Sequence, residues 1–179
     1  FEKIKNSIEL IIVSDYNKGV CTEKFLNHII TFAKKNKIKV FVDPKGDNFK
    51  KYKFSYCIKP NLNEVKEIYK YPLIKDRDFE KACKYICDTF QINTCVITRG
   101  KDGMTLYDGV NFYHIKTDVK DVFDVSGAGD TVISVISHCI LGGRNLKTSC
   151  EIASEAAKYV ISKQGTTPIK LEIINKYFN

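Results

Sequence analysis

The stretch DVSGAGDT, from Asp124 to Thr131, is the most informative part of the chain, because it places small residues at the start of an apolar helix. The apolar run 132–141 that follows predicts that this helix continues to residue 141. The unpaired backbone N–H groups and the dipole at a helix N-terminus attract an anion, and small residues leave those groups unobstructed. We therefore expect an anion site formed by Gly127, Ala128 and Gly129.

Asp130 lies in the first turn of this predicted helix, beside the expected anion. A carboxylate so close to a bound phosphate repels it, so this unfavourable position indicates a role in a reaction. One such role is to accept a proton from an attacking hydroxyl. A plainer interpretation stays open, in which Asp130 only complements the helix dipole and the glycines form a tight entry turn. On the first interpretation, Asp130 is the candidate catalytic base.

Apolar runs alternate with helical patterns along the rest of the chain. The predicted strands are 8–13, 39–42, 54–58 and 94–98, and the predicted helices are 22–35, 62–70, 76–90, 128–141, 146–162 and 170–177. Residues 104–107 and 111–115, joined by an Asp108-Gly109 turn, predict an antiparallel hairpin. The alternation predicts an α/β fold with a mostly parallel sheet flanked by helices, and we expect one domain over residues 1–179.

Polar residues follow the ends of the predicted strands, where ligands bind in sheets of this kind. They are Asp15, Asp43, Asn61 and Thr98. Asn61 and Glu64 also have the spacing of a helix cap with an acidic first turn. Asp43 and Lys45 belong either to a simple strand-ending turn or to a loop in which Lys45 pairs with a phosphate and Asp43 orients the loop or an ion.

The motifs of the chain resemble those of the ribokinase-like (PfkB) sugar kinases, and the resemblance covers nearly the whole sequence. Its family-wide signals are the GAGD of residues 127–130 and the Asn-x-x-Glu of residues 61–64. Other segments resemble more narrowly the heptose 7-phosphate kinase domains of ADP-heptose synthesis. The segments that carry the resemblance, two of which contain these family-wide signals, are SDYNKG (14–19), VDPKGDNF (42–49), KPNLNE (59–64), TRGKDGM (98–104), VFDVSGAGDTVI (122–133) and SKQGTTPI (162–169).

The resemblance implies site residues and cofactors. It implies ATP and Mg²⁺ as cofactors, with Asp130 as the catalytic base and the metal arranged by Glu64, largely through water. The nucleotide-binding residues that it implies are Asn61, Glu64, Thr98, Gly100 and Gly103. The small residues Ala153, Ala156 and Ala157 predict close helix packing, and the resemblance suggests that part of this small face backs the adenine pocket. In SDYNKG, Asp15 and Lys18 either line the sugar side of the cleft or belong to a turn made by Asn17 and Gly19.

The activity implied is phosphoryl transfer from ATP to a sugar hydroxyl. The narrower resemblance implies O1 of D-glycero-D-manno-heptose 7-phosphate as the acceptor, in ADP-heptose and lipopolysaccharide core synthesis. Two alternatives stay open. One is a kinase of the same family with another acceptor, such as a fructose phosphate or adenosine, and the other is a non-catalytic nucleotide-binding or assembly module.

The sequence opens at Phe1 and leads directly into an apolar strand. The family carries further strands and helices before this point, with most of the sugar-binding residues and a lid that serves in dimerisation. We therefore expect this chain to be the C-terminal half of such a kinase, without the N-terminal part and the lid. The full-length enzyme is expected to be a homodimer, with a possible fused nucleotidyltransferase domain outside this chain.

The composition of the chain indicates which binding partners and which cellular compartment to expect. The net charge is +8, but the lysines are scattered and no basic strand is interleaved with aromatic residues, so we expect no nucleic-acid partner. The seven cysteines show no CxxC pair and predict reduced thiols in the core. No apolar run is long enough to span a bilayer. We expect a cytoplasmic protein whose partners are ATP and a small sugar phosphate.

Overall fold

A six-stranded sheet forms the centre of the computed structural model, which describes residues 3–118, 124–165 and 167–176. Its strands, adjacent in sequence order, are β1 (Leu10–Ser14), β2 (Lys39–Asp43), β3 (Cys57–Ile58), β4 (Thr94–Thr98), β5 (Met104–Tyr107) and β6 (Phe112–Ile115). Strands β1 to β4 run parallel, and β5 and β6 are antiparallel. The predicted α/β class with a mostly parallel sheet and an antiparallel hairpin is confirmed.

In the described residues, six α-helices cover the two faces of this sheet. They are α1 (Glu23–Lys35), α2 (Leu62–Ile68), α3 (Asp76–Phe90), α4 (Ala128–Leu141), α5 (Leu146–Ile161) and α6 (Leu171–Asn175). The first core lies between the sheet and α1, α2 and α3, and the second lies between the sheet and α4, α5 and α6. Neighbouring strand residues enter different cores, as Val42 and Phe41 do, because side chains alternate across a strand.

The ends of several predicted elements differ from the structure for local reasons. The third strand shrinks to β3 because Phe54 has a left-handed backbone with φ of 69°, which an extended strand cannot contain. Helix α2 ends at Ile68, two residues before the predicted end, since Tyr69 is extended. In the hairpin, Gly109 and Val110 are the central residues, because Tyr107 pairs with Phe112 and the Asp108 N–H donates to the Asn111 carbonyl at 3.1 Å.

Other predicted boundaries lie within a few residues of the observed ones. Strand β1 starts at Leu10 and runs to Ser14, and the Thr22 side chain caps α1 by accepting the Phe25 N–H at 3.3 Å, as its sequence position predicts. The last predicted helix reached Tyr177, which lies outside the described residues, as do Val122 and Phe123 of the GAGD-containing motif. Thr166 of the SKQGTTPI segment lies outside them too.

The carboxyl ends of the parallel strands meet at one edge of the sheet. There the Asp15 N–H donates to the Asp43 carbonyl at 3.0 Å, which joins the segments after β1 and β2. A bridge between Asn61 and Thr98 joins the segments after β3 and β4. The polar residues predicted to share this edge therefore do lie together.

The structure also shows where the cysteines lie and whether a described helix could span a membrane. All seven cysteines are free thiols, and all except Cys21 are buried, which confirms the prediction of core thiols. Within residues 3–118, 124–165 and 167–176, no helix combines the length and the apolar character that a membrane crossing requires.

The backbone conformation at position 103 and the atoms around it both require a glycine there. Its φ of 84° and ψ of −129° belong to a region that is essentially restricted to glycine, and an added Cβ would lie 1.9 Å from the Ile115 carbonyl oxygen. We expect Gly103→Ala to lower the free energy of unfolding, measured by urea denaturation, by at least ~3 kcal/mol. Gly100→Ala is the matched control, because Gly100 has φ of 61° with open space around it, and it should cost about 1 kcal/mol. Equal losses in the two variants would contradict this account.

Candidate active site

A cavity of about 710 Å³ opens along the carboxyl edge of the sheet. The residues singled out in the sequence that line it are Asp15, Asp43, Lys45, Asn61, Glu64, Thr98, Gly100, Gly103, Ala128, Gly129, Asp130 and Ala157. Lys18 and Gly127 are not part of this lining: Lys18 is exposed on the loop after β1, and Gly127 shapes the turn before α4. The structure thus brings most of the predicted nucleotide and phosphate residues to one cavity.

The turn before α4 presents two backbone amides. Gly127 has φ of 79° and its carbonyl accepts the Thr131 N–H at 2.9 Å, so the helix starts directly after it. The Ala128 N–H donates to the Val125 carbonyl at 3.2 Å and is therefore already used. Among the residues that the structure describes, the N–H groups of Gly129 and Asp130 have no acceptor. Gly129 and Asp130 therefore present free amides to an anion, whereas the Ala128 amide is engaged, and the anion site expected at this turn stays a prediction.

Asp130 is exposed at the mouth of the cavity and is held by two hydroxyl groups. The Ser14 hydroxyl donates to Oδ1 at 3.2 Å, and the Tyr16 hydroxyl donates to Oδ2 at 2.9 Å. The hydrogen bond and the negative charge of Asp130 raise the pKa of Tyr16. A carboxylate has about four acceptor positions, so Asp130 keeps positions for a further donor. Neither Ser14 nor Tyr16 was singled out in the sequence as a site residue.

A buried ion pair lies beneath α4. Lys59 Nζ is 2.9 Å from Asp43 Oδ1, and the Lys59 side chain is 4% exposed. Burial raises the pKa of Asp43, and the charges of Glu64 and Asp130 add to this rise although Lys59 opposes it. A Cβ on Gly129 would lie 3.3 Å from Lys59 Nζ, so the helix turn and the ammonium are almost in contact. The sequence analysis treated Lys59 only as part of a motif, and its burial is what distinguishes it.

Asn61 and Glu64 form a capping box at the start of α2. The Asn61 N–H donates to Glu64 Oε2 at 2.8 Å, and Asn61 Oδ1 accepts the Glu64 N–H at 3.0 Å. The capping interpretation of this pair is therefore realised in the structure. The pair also lines the cavity, so its expected role at a nucleotide stays a prediction.

The fit of Mg²⁺ depends on Glu64. One of its oxygens accepts from the Asn61 side chain at 2.8 Å and lies 3.3 Å from Lys45 Nζ, while the other caps the helix. In the part of the chain that the structure describes, no group of three or more His, Cys, Asp or Glu residues is arranged to hold a metal ion. A Mg²⁺ ion that keeps most of its water shell and takes phosphate oxygens fits this site, and a fully protein-ligated ion does not.

Arg99 anchors the loop between β4 and β5. Its Nη1 donates to Asp76 Oδ1 at 2.7 Å and to Thr105 Oγ1 at 3.0 Å, and its guanidinium lies 4.1 Å from the centroid of the Phe79 ring. These contacts turn most of the Arg99 side chain away from solvent. Thr98 and Gly100, on either side of it, are left facing the cavity.

Two predicted groups are only partly at the cavity. The Asp15 carboxylate is engaged by Lys51 Nζ at 2.6 Å and by the Tyr52 hydroxyl at 2.7 Å, and its expected place on the sugar side of the cleft stays a prediction. Of the three alanines expected behind an adenine, Ala157 lines the cavity. Ala153 and Ala156 are buried in the second core.

Comparison with protein families gives one match, which spans nearly the whole chain. The model of the pfkB family carbohydrate kinases matches residues 1–173. Among curated proteins, the chain is 36% identical over 177 residues to the bifunctional protein HldE of Campylobacter jejuni and 37% identical over 161 residues to that of Geobacter sulfurreducens. These matches cover 98% and 89% of this chain but only 38% and 33% of the two relatives, so the chain spans about a third of their length.

Solved structures share the fold at lower identity. Phosphofructokinase-2 from Escherichia coli, solved in complex with potassium, matches with a TM-score of 0.83 and 21% identity, over 99% of this chain and 59% of that one. The ribokinase of Arabidopsis thaliana, complexed with ribose and ATP, matches with a TM-score of 0.83 and 16% identity, over 98% of this chain and 57% of that one. At these identities the likeness establishes the fold alone.

The buried pair of Asp43 and Lys59 gives a pH-dependent prediction. Lys59→Met leaves the Asp43 carboxylate buried without its partner, which should lower the free energy of unfolding by about 3–5 kcal/mol near neutral pH. Burial already raises the pKa of Asp43, so protonation removes this penalty as the pH falls. The deficit measured by urea denaturation should therefore be fully present at neutral pH and should shrink as the pH falls through the raised pKa of Asp43 toward the ordinary carboxylate range of about 4.

Two variants control this measurement. Asp43→Asn added to Lys59→Met removes the unpaired charge and should restore much of the lost stability. Lys45→Met breaks the pair with Glu64, in which the lysine side chain is 52% exposed, and should cost less than ~1 kcal/mol. A Lys59→Met deficit that stays constant with pH would refute the account.

Proposed function

The chain belongs to the pfkB family of carbohydrate kinases, and from this premise we propose that it transfers a phosphoryl group from ATP to a hydroxyl of a sugar phosphate. The observation that carries the proposal is the position of Asp130. Its carboxylate stands at the N-terminus of α4, at the mouth of the 710 Å³ cavity and next to two amides without an acceptor among the described residues. A base beside an anion site is what transfer to a hydroxyl requires.

In the proposed mechanism, the oxygen of the sugar hydroxyl attacks the terminal phosphorus of ATP while Asp130 accepts the hydroxyl proton. The bond between that phosphorus and the bridging oxygen breaks, and ADP leaves. The Gly129 and Asp130 amides and the Lys59 ammonium stabilise the charge that develops on the transferred group. Lys59 adds a full charge near Gly129, where its side chain is shielded from water. The work of the protein is therefore to position the reactants and stabilise charge.

The cofactors proposed are ATP and Mg²⁺. When bound, Mg²⁺ neutralises the polyphosphate, and Glu64 would hold the ion through water. Asn61, Thr98, Gly100 and Gly103 lie at the part of the cavity next to α2 and the β4–β5 loop, and we assign them to the nucleotide. The support for this assignment is that they share one cavity with Asp130.

The proposed acceptor is O1 of D-glycero-D-manno-heptose 7-phosphate, in ADP-heptose synthesis. This assignment is supported by the narrower sequence motifs, such as SDYNKG and DPKG, and by the similarity to the HldE proteins. Those motifs lie around the cavity edge that carries Ser14 and Tyr16. A related kinase with a fructose phosphate or a nucleoside as acceptor is the alternative, and a panel of acceptors separates the two.

A non-catalytic nucleotide-binding module is the candidate from another class. It would have no use for a carboxylate held by two hydroxyl groups at the anion site.

The remaining elements of the proposal are a homodimeric enzyme, a fused nucleotidyltransferase domain outside this chain, and a reducing compartment such as the cytoplasm. The free thiols support the last of these.

Asp130→Asn tests the central assignment in the intact protein. We expect kcat for heptose 7-phosphate to fall by roughly 10²–10⁴-fold, because the amide cannot take the proton. Calorimetric titration with a non-hydrolysable ATP analogue and Mg²⁺ should give a Kd within about threefold of the unchanged protein, since the fold and the amides remain. Asp88→Asn, at an exposed position on α3, is the matched control and should change neither value.

The outcomes separate the alternatives. Nearly normal turnover in Asp130→Asn would remove Asp130 from the role of base. Turnover that is faster with fructose 6-phosphate or adenosine than with heptose 7-phosphate would redirect the acceptor and leave the kinase proposal intact. Saturable binding of the ATP analogue, without phosphorylation of any acceptor, would favour the non-catalytic module.

A further inference from the structure

Asp15, Lys51 and Tyr52 form a buried polar cluster beneath the loop that follows β1. Lys51 Nζ lies 2.6 Å from Asp15 Oδ2, and the Tyr52 hydroxyl donates to the same oxygen at 2.7 Å. The Asn17 N–H donates to Asp15 Oδ1 at 2.7 Å, so both oxygens of the carboxylate are engaged. The side chains of Asp15 and Lys51 are 2% and 10% exposed. We call these three residues the Asp15 anchor.

The Asp15 anchor does not serve stability in an obvious way. Removing two charges from water costs free energy that their mutual attraction rarely exceeds, and apolar residues of similar size often stabilise a core as well. A buried ion pair does fix one geometry, because every other arrangement leaves a charge without a partner. Burial raises the pKa of Asp15, but the hydrogen bonds from Lys51 and Tyr52 outweigh it and lower that pKa overall. Asp15 is thereby held in its ionised, bound form.

The geometry that the anchor fixes is that of the residues on either side of Asp15. Successive side chains of an extended segment point in opposite directions. Asp15 points down into the anchor, while Ser14 and Tyr16 point out to the cavity and hold the two oxygens of Asp130. These two hydrogen bonds join parts of the chain that are 116 and 114 residues apart. The last residue of β1 and the loop after it thus supply the two hydroxyl donors that orient this carboxylate.

The far side of the anchor is tied to a second loop of the cavity. Tyr52 ends a short 3₁₀ turn, Phe49–Tyr52, and its hydroxyl accepts the Lys45 N–H at 3.1 Å. Lys45 in turn lines the cavity and pairs with Glu64. One buried cluster therefore sets the position of the loops after β1 and after β2.

We propose that Asp15, Lys51 and Tyr52 are positioning residues for the reaction: they fix the loop so that Ser14 and Tyr16 hold Asp130 in the orientation that accepts the proton. The inference rests on the proposed function of Asp130. None of the three anchor residues needs to touch the sugar or ATP. Their effect reaches the reacting atoms through Tyr16 and Ser14.

A double-mutant cycle between Tyr52→Phe and Tyr16→Phe in the intact protein tests this chain of contacts. Tyr52→Phe keeps the buried ring and removes one donor to Asp15. We expect it to lower kcat about tenfold and to change KM for ATP less than about twofold, because orientation is lost and nucleotide contacts are kept. In the Tyr16→Phe background, the same change should have little further effect.

Three further variants sharpen the test. Tyr69→Phe removes the hydroxyl of another buried tyrosine, whose ring contacts Tyr71 and Tyr85 away from the cavity, and should leave kcat unchanged. Lys51→Arg keeps the positive charge and should retain more turnover than Lys51→Met. In the absence of substrates, amide hydrogen exchange of residues 14–19 should be faster in Tyr52→Phe than in the unchanged protein.

The results that overturn the inference differ from those that overturn the proposed function. Additive losses in the cycle, a loss through KM for ATP alone, or unchanged exchange of residues 14–19 in Tyr52→Phe would each reject the positioning role. So would normal kcat in Tyr52→Phe while Asp130→Asn is inactive. Full turnover in Asp130→Asn would instead reject the base itself.

Discussion

The ion pair between Asp43 and Lys59 is the contact on which the arrangement of the candidate site depends. It joins the ends of β2 and β3, and because both side chains are largely shielded from water, neither can leave the other without a large cost. Gly129 lies against this pair, and a Cβ at this position would come within 3.3 Å of Lys59 Nζ, so glycine lets the first turn of α4 approach the pair without displacing it. The position of Asp130 over the strand ends follows from that close approach.

Local sequence patterns were sufficient to predict most of the fold. Alternating apolar runs and helical periodicity located the six strands and the helices, because burial on a sheet face or a helix face imposes its period on the sequence. The cap at Asn61 and the hairpin around Gly109 were also predictable, since each involves residues only a few positions apart. Where boundaries differed, as at Phe54, the cause was a backbone conformation that composition does not reveal.

The site was predictable in its motifs and not in its contacts. The Gly-Ala-Gly-Asp turn, Asn61, Glu64 and Thr98 were identified from their positions at helix starts and strand ends, and the resemblance to the sugar kinases suggested their roles. The burial of Lys59, the inward direction of Asp15 and the hydrogen bonds from Ser14 and Tyr16 to Asp130 were not. These features depend on which segments meet after folding, across separations of more than a hundred residues in the last case. A single sequence carries no local signal for such pairings.

The two cores on opposite faces of the sheet have a consequence for inactivation. Asp130 is carried by α4, whose apolar side belongs to the second core, whereas Val13 and Tyr52, which support the loop of Ser14 and Tyr16, belong to the first. The contact between Tyr16 and Asp130 exists only when both layers are packed on the sheet. A partly unfolded species that lost either layer would keep much of its helix and strand content and yet have no assembled site. Loss of activity on heating should therefore precede loss of secondary structure whenever the two layers separate at different temperatures.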